Sequence, residues 1–239
     1  MPYRRLPNTD QARLRAFKRA LERSENVPVD MLPFSQKLLL ELRQFYPHFH
    51  QMLDQYQRSR DRQASIGREL AENYRISRLY VSHFLQVVNF AIVRGEFKSD
   101  VRLFYGIDEQ DGNVPDLGTE LQLLEWGKAV IEGEEQRMAT GATRIYNPSL
   151  AMVKIRYDRF VETYNIHKDL QITTQKLMEK TIEFRNQADR LITDIWNEIE
   201  EYYGELEGEE RRKHCSDYGV VYVYRPHEKQ ELAEAKTGS

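Results

Sequence analysis

Six histidines, one cysteine and a run of arginines near the start of the chain are the residues whose chemistry could be put to use. A helical bundle holds a carboxylate-bridged metal centre through Glu-x-x-His pairs, which aim both ligands from one helix face. That pattern is absent. Phe45, Pro47, Tyr80, Tyr164 and Arg211 stand three residues before His48, His50, His83, His167 and His214, and Tyr224 stands before His227. His48 and His50 are two apart, so on a helix they point to different faces. No metal and no cofactor is expected.

Nucleophilic chemistry fares no better. His214-Cys215-Ser216-Asp217 sets nucleophile types side by side, but a catalytic triad needs side chains that converge from across a fold. Val221 occupies the position where a Cys-x5-Arg phosphatase loop needs arginine. Gly127-Lys128 is followed by Ala129, and Gln122 stands in place of the first glycine of a phosphate-binding loop. Asp108, Asp111 and Asp116 miss calcium-loop spacing, because Gln110 and Gly112 fall on ligand positions. The expectation is a protein that is not an enzyme.

Two groups of residues remain. His83 lies in the most apolar stretch, Leu79 to Val93, where a buried imidazole would need a core partner; with Tyr80 and Trp196 it could line a ligand pocket. The second group is basic: Arg4, Arg5, Arg13, Arg15, Lys18, Arg19 and Arg23, with Arg58, Arg60 and Arg62 farther on. Residues 1–100 carry 17 Lys and Arg against 11 Asp and Glu, and the remainder 18 against 27. So mild an excess, without a recognition motif, points to an acidic protein surface ahead of nucleic acid.

The elements that must position these residues are helical. Asn8 or Thr9 can cap a first helix to about Glu25, with Leu14, Phe17 and Leu21 on one stripe. Leu38, Leu42, Phe45, Phe49, Met52 and Tyr56 mark a second, which Pro47 is predicted to kink or divide. The apolar pattern pauses at 65–67, predicting a turn into a third helix, about 70–94, apolar nearly all round and at the core's centre. A β-like run at 101–105, a polar loop to Gly118 and a fourth helix, about 119–138, follow, the last bridging two halves.

From Ser149 the pattern restarts, and two helices are expected to share the stretch to Gly204. Asn186 would cap the second, whose seam is Ala188, Ile192, Ile195, Ile199, Tyr202 and Leu206. Both halves run Pro, Ser, helix, turn, helix, Gly, Ser-Asp and a short strand. The fold expected is mainly all-α: a four-helix bundle from two duplicated helical hairpins, with extra helices and a small two-stranded β ribbon pairing 101–105 with 220–224. Its segments are an arm and docking helix over 1–32, a hairpin and strand over 33–106, a loop and bridging helix over 107–148, a second hairpin and strand over 149–225, and a flexible tail over 226–239, all in one compact domain.

The segments Pro2–Asp10, Leu79–Phe84 and Ile145–Pro148 resemble an uncharacterised family of bacterial helical proteins. The resemblance covers most of the chain and implies a bacterial origin and a helical fold. The family has no assigned activity, so no site is carried over. A lone cysteine, no apolar run after Arg4 and Arg5, and an apolar stretch broken by Ser82, His83, Gln86 and Asn89 predict a cytoplasmic protein that neither crosses a membrane nor needs disulfides. The function expected is that of a non-catalytic interaction or scaffold protein, acting on a protein partner or by self-association, with exposed apolar area on the first helix or over 218–224 as its contact surface. The alternatives are a small-molecule-binding or catalytic bundle and a nucleic-acid binder acting through the first helix.

Overall fold

The structure is a computed structural model that describes residues 2–25, 27–225 and 228. The tail expected over 226–239 and His227 lie outside the described residues, Glu228 apart. The fold is mainly all-α with a small antiparallel two-stranded sheet. In chain order the elements are β1 (Tyr3–Arg4), α1 (Asp10–Ser24), a 3₁₀ turn (Val29–Met31), α2 (Gln36–Val93), a 3₁₀ segment (Ser99–Tyr105), α3 (Glu120–Ala139), α4 (Leu150–Tyr202), α5 (Gly208–Asp217) and β2 (Tyr222–Val223).

Each expected hairpin is one uninterrupted helix. The turn predicted at 65–67 does not form, because the polar residues around it are strong helix formers and Gly67 has a different use. A Cβ there would lie 3.4 Å from His167 Nε2, so the missing side chain lets α2 approach α4 closely. Pro47 lies inside α2 without ending it. Rings on either side of the proline hold that stretch: Phe45 and Phe49 stack at 5.6 Å, and Phe17 and Phe184 pack on them. Asn186 caps nothing; it sits mid-helix in α4.

The chain divides into two compact units. Unit 1 comprises Met1–Arg58 and Gln175–Ser239, and unit 2 comprises Ser59–Thr174, so α2 and α4 each contribute to both. The core of unit 1 is built on the seams that periodicity marks: Leu38, Leu42 and Phe49 of α2 and Ala188, Ile192, Ile195 and Ile199 of α4, closed by Phe17 of α1. Tyr202, the next seam position, is 54% exposed.

Unit 2 packs Val81, Phe84, Leu85 and Val88 of α2 against Leu123 and Val130 of α3 and Val153 and Phe160 of α4. Polar pairs join α2 and α4 here, Ser59 with Thr174 at 2.7 Å and Asn73 with Thr163 at 2.8 Å. The helix α3 begins with a complete capping box, Thr119 with Gln122, and belongs wholly to unit 2 rather than bridging two halves. Gly133 is required: a Cβ would overlap the Phe104 carbonyl oxygen.

The strand expected at 101–105 is a 3₁₀ segment instead. Its buried residues, Arg102 and Tyr105, are three apart, which matches three residues per turn and not the alternation of a strand. Of the expected ribbon only the later strand forms, and it pairs with the N-terminal arm: Tyr3 opposes Val223 and Arg4 opposes Tyr222.

One expectation about α2 is corrected by burial. Its later stretch is apolar all round in sequence, yet Leu79, Phe90 and Val93 are 57%, 60% and 79% exposed. The core of unit 2 covers only the Val81, Phe84, Leu85 and Val88 side. Within α2 an 18-residue window reaches a mean hydropathy of 1.3 and is 33% buried, so by length and composition this helix could cross a membrane.

Candidate functional site: a cationic cleft in unit 1

The β1–β2 ribbon alternates its side chains between two faces. On one, Arg4 Nη1 lies 2.9 Å from Glu200 Oε2 and 2.8 Å from Asn197 Oδ1, while the Tyr222 hydroxyl donates to Glu200 Oε1 at 2.6 Å. On the other, Arg5, Val221 and Val223 face a cleft of about 400 Å³. The second wall is α1, whose first turn is capped by Thr9, the side chain accepting from the Ala12 N–H. Helical periodicity sends Arg13, Ala16, Phe17 and Ala20 inward and leaves Arg15 and Arg19, one turn apart, on the cleft. Trp196, 1% exposed, closes the floor. Gly219, at φ 96°, lets the chain pass close to α1, where a Cβ would stand 3.0 Å from the Ala16 carbonyl oxygen.

Ion pairing sorts the seven basic residues of the sequence patch. Arg4 is neutralised by Glu200. Arg13 makes a two-pronged contact with Asp189, at 2.7 and 2.8 Å, and a 3.3 Å contact with Asp10, which Arg185 also grips. Hydrogen bonding to Asp189 raises the Arg13 pKa above its ordinary value, against the opposing effect of burial. Lys18 pairs with Glu22 at 3.6 Å and Arg23 with Asp217 at 3.1 Å. For Arg5, Arg15 and Arg19 no carboxylate lies within ion-pair distance among the described residues, and all three are exposed. Among the described residues the cleft lining holds no Asp or Glu.

Three like charges around one concavity repel one another. Arg15 and Arg19 alone, at one-turn spacing, cost a few tenths of a kcal/mol, about 0.2–0.5. An anion in the cleft removes that cost, and bidentate guanidinium contacts to carboxylate are among the strongest polar contacts a protein surface makes. Among the described residues the lining has no histidine, cysteine or carboxylate. Its chemistry is recognition of negative charge beside apolar surface.

The pocket expected from Tyr80, His83 and Trp196 does not assemble within either unit. Trp196 belongs to the core of unit 1, whereas Tyr80 and His83 are in unit 2. Tyr80 is half-buried with the Arg156 guanidinium 5.6 Å above its ring. His83 is exposed, not buried, because its side of α2 turns away from the unit 2 core. The His214-Cys215-Ser216-Asp217 run gives no triad: Cys215 is fully buried, which raises its thiol pKa, His214 stacks on Tyr203 at 5.1 Å, and Asp217 is taken by Arg23. The expected contact surface is open only in part: Tyr218 and Val220 are 5% and 2% exposed and Phe17 is 1% exposed, whereas Val221 is 46% exposed.

Unit 2 carries a different charged group. Glu134 and Arg137 are paired at 2.7 Å with side chains 1% and 2% exposed. The Tyr105 hydroxyl donates to Glu134 at 2.6 Å, and Arg137 also donates to the Thr143 carbonyl at 2.7 Å and lies 4.8 Å from the Phe97 ring centre. Burial, then the bond to Glu134, raises the Tyr105 pKa. Every strong donor here has a partner, which marks a structural network.

Sequence reasoning named all seven basic residues but could not sort them. A partial signal was present: Lys18 has Glu22 four residues on, whereas the residues four away from Arg15 and Arg19 are Gln11, Arg23 and each other, although Glu22 also stands three after Arg19. Leu6 was missed, and Val221 and Val223, within the segment expected as a contact surface, were not joined to the arm, because their place on the cleft depends on β1 meeting β2 from the far end of the chain. No family model, no curated protein and no solved structure matches this chain.

Proposed function

We propose that the chain is a non-catalytic helical interaction protein that docks an acidic protein partner on the cleft of unit 1. One observation carries the reading: of seven basic residues on the N-terminal arm and α1, four are paired internally, and the other three line a cleft that holds no carboxylate among the described residues. Binding is favoured over catalysis because the lining offers no nucleophile and no acid–base pair. A cytoplasmic setting belongs to the same proposal, supported by the polar residues Ser82, His83, Gln86 and Asn89 that interrupt the apolar stretch of α2.

The test is affinity capture from the native lysate with mass spectrometry, comparing wild type, the triple variant Arg5→Gln/Arg15→Gln/Arg19→Gln and the control Lys18→Gln. A specific protein held by wild type and control and lost from the triple variant supports the proposal. Retention of that protein by the triple variant, or recovery of nucleic acid in its place, overturns it.

A further inference from the structure

We infer that the cleft reads an extended segment in which two acidic residues flank an apolar one, in the order acidic-x-apolar-x-acidic; this rests on the interaction role proposed above. Arg5 stands on the ribbon wall, and Arg15 with Arg19 on the α1 wall, so cationic contacts are offered from two different elements. The same cleft presents Leu6 and Val221, 45% and 46% exposed, as apolar surface. In an extended chain alternate side chains face the same way, so residues i, i+2 and i+4 can all point into the cleft across about 13 Å. A volume of about 400 Å³ is in the range of ligand clefts and suits a short segment rather than a folded domain.

Other anions fit less well. A nucleobase needs an open aromatic face for stacking, and Trp196 is 1% exposed. A bare phosphate would use the guanidinium groups and leave Leu6 and Val221 uncovered. The acidic segment uses both kinds of surface, and its charge complements three cations that have no counter-ion of their own among the described residues.

The probe is a fluorescent peptide, Glu-Ser-Leu-Ser-Glu, titrated with the full chain at low ionic strength and followed by anisotropy. Saturable one-site binding is expected, weakened about tenfold when both acids become Gln and about threefold when Leu becomes Ser. Arg15→Gln/Arg19→Gln should weaken it about tenfold and Lys18→Gln less than about twofold, with unchanged helical signal and melting in each variant. Equal binding of the Gln peptide, cleft variants no weaker than Lys18→Gln, or no saturable binding would each overturn the inference. The two proposals fail separately: a lysate partner lost from the cleft variants while the peptide does not bind leaves the interaction role and removes the segment chemistry. Peptide binding with a partner indifferent to the cleft does the reverse.

Discussion

Unit 2 encloses its most deeply placed guanidinium, Arg137, with a carboxylate, a carbonyl oxygen and an aromatic face, whereas unit 1 leaves Arg5, Arg15 and Arg19 at a cleft with no carboxylate beside them among the described residues. The same side chain thus does opposite work in the two places. A fully partnered buried charge fixes how α3 and the 3₁₀ segment meet, and removing one member exposes the rest to an uncompensated cost. Free charges around a concavity contribute nothing to packing and slightly oppose folding, so among the described residues nothing offsets their repulsion. Stability and binding should therefore respond to different arginines.

The largest expected effect is in unit 2. Glu134→Ala leaves Arg137 and the Tyr105 hydroxyl buried without their acceptor and should cost about 3–5 kcal/mol, read from denaturant unfolding, with amide protection lost first along α3. Gly133→Ala pushes a methyl group into the Phe104 carbonyl and should cost about 2–3 kcal/mol in the same assay. A loss below about 0.5 kcal/mol in either variant would mean that the network does not organise unit 2.

Alkaline pH should act on both units. Burial raises the pKa of Tyr105 in unit 2 and of Tyr222 and Tyr203 in unit 1, the last pushed up to about 12. An unfolded tyrosine releases its proton near pH 10, while these keep theirs when folded. Above about pH 10 the unfolded state binds fewer protons, so stability, fully present below that pH, falls by up to about 1.4 kcal/mol per pH unit for each group. Thermal melts from pH 8 to 12 check this, and Tyr105→Phe should flatten the slope. A slope that begins near pH 8 would contradict it.

Much of the fold was legible and one part was systematically not. The α1 cap at Thr9, the start of α3 near residue 119 and the seams at Leu42, Phe49, Ile192 and Ile195 are local signals, and the structure has them. Gly67 and Pro47 misled because a breaker inside a long helix is tolerated when tertiary contacts, His167 for one and a set of phenylalanines for the other, hold the helix through it. The cleft was half legible. Its arginines are visible in sequence, but their separation from Arg4, Arg13 and Arg23 depends on Glu200, Asp189 and Asp217, all more than 170 residues away. The expected burial of His83 failed for the converse reason: apolar surroundings in sequence do not say which side of a helix the core will cover.

The most direct measurement is a paired one on Arg15→Gln/Arg19→Gln: the thermal midpoint and the affinity for the Glu-Ser-Leu-Ser-Glu peptide, in one buffer. Binding about tenfold weaker with a midpoint unchanged or raised by about a degree is the expected result, since the substitution removes a repulsion and no contact. A midpoint lowered by several degrees, or binding as tight as that of wild type, would contradict the separation of stabilising and binding arginines between the two units.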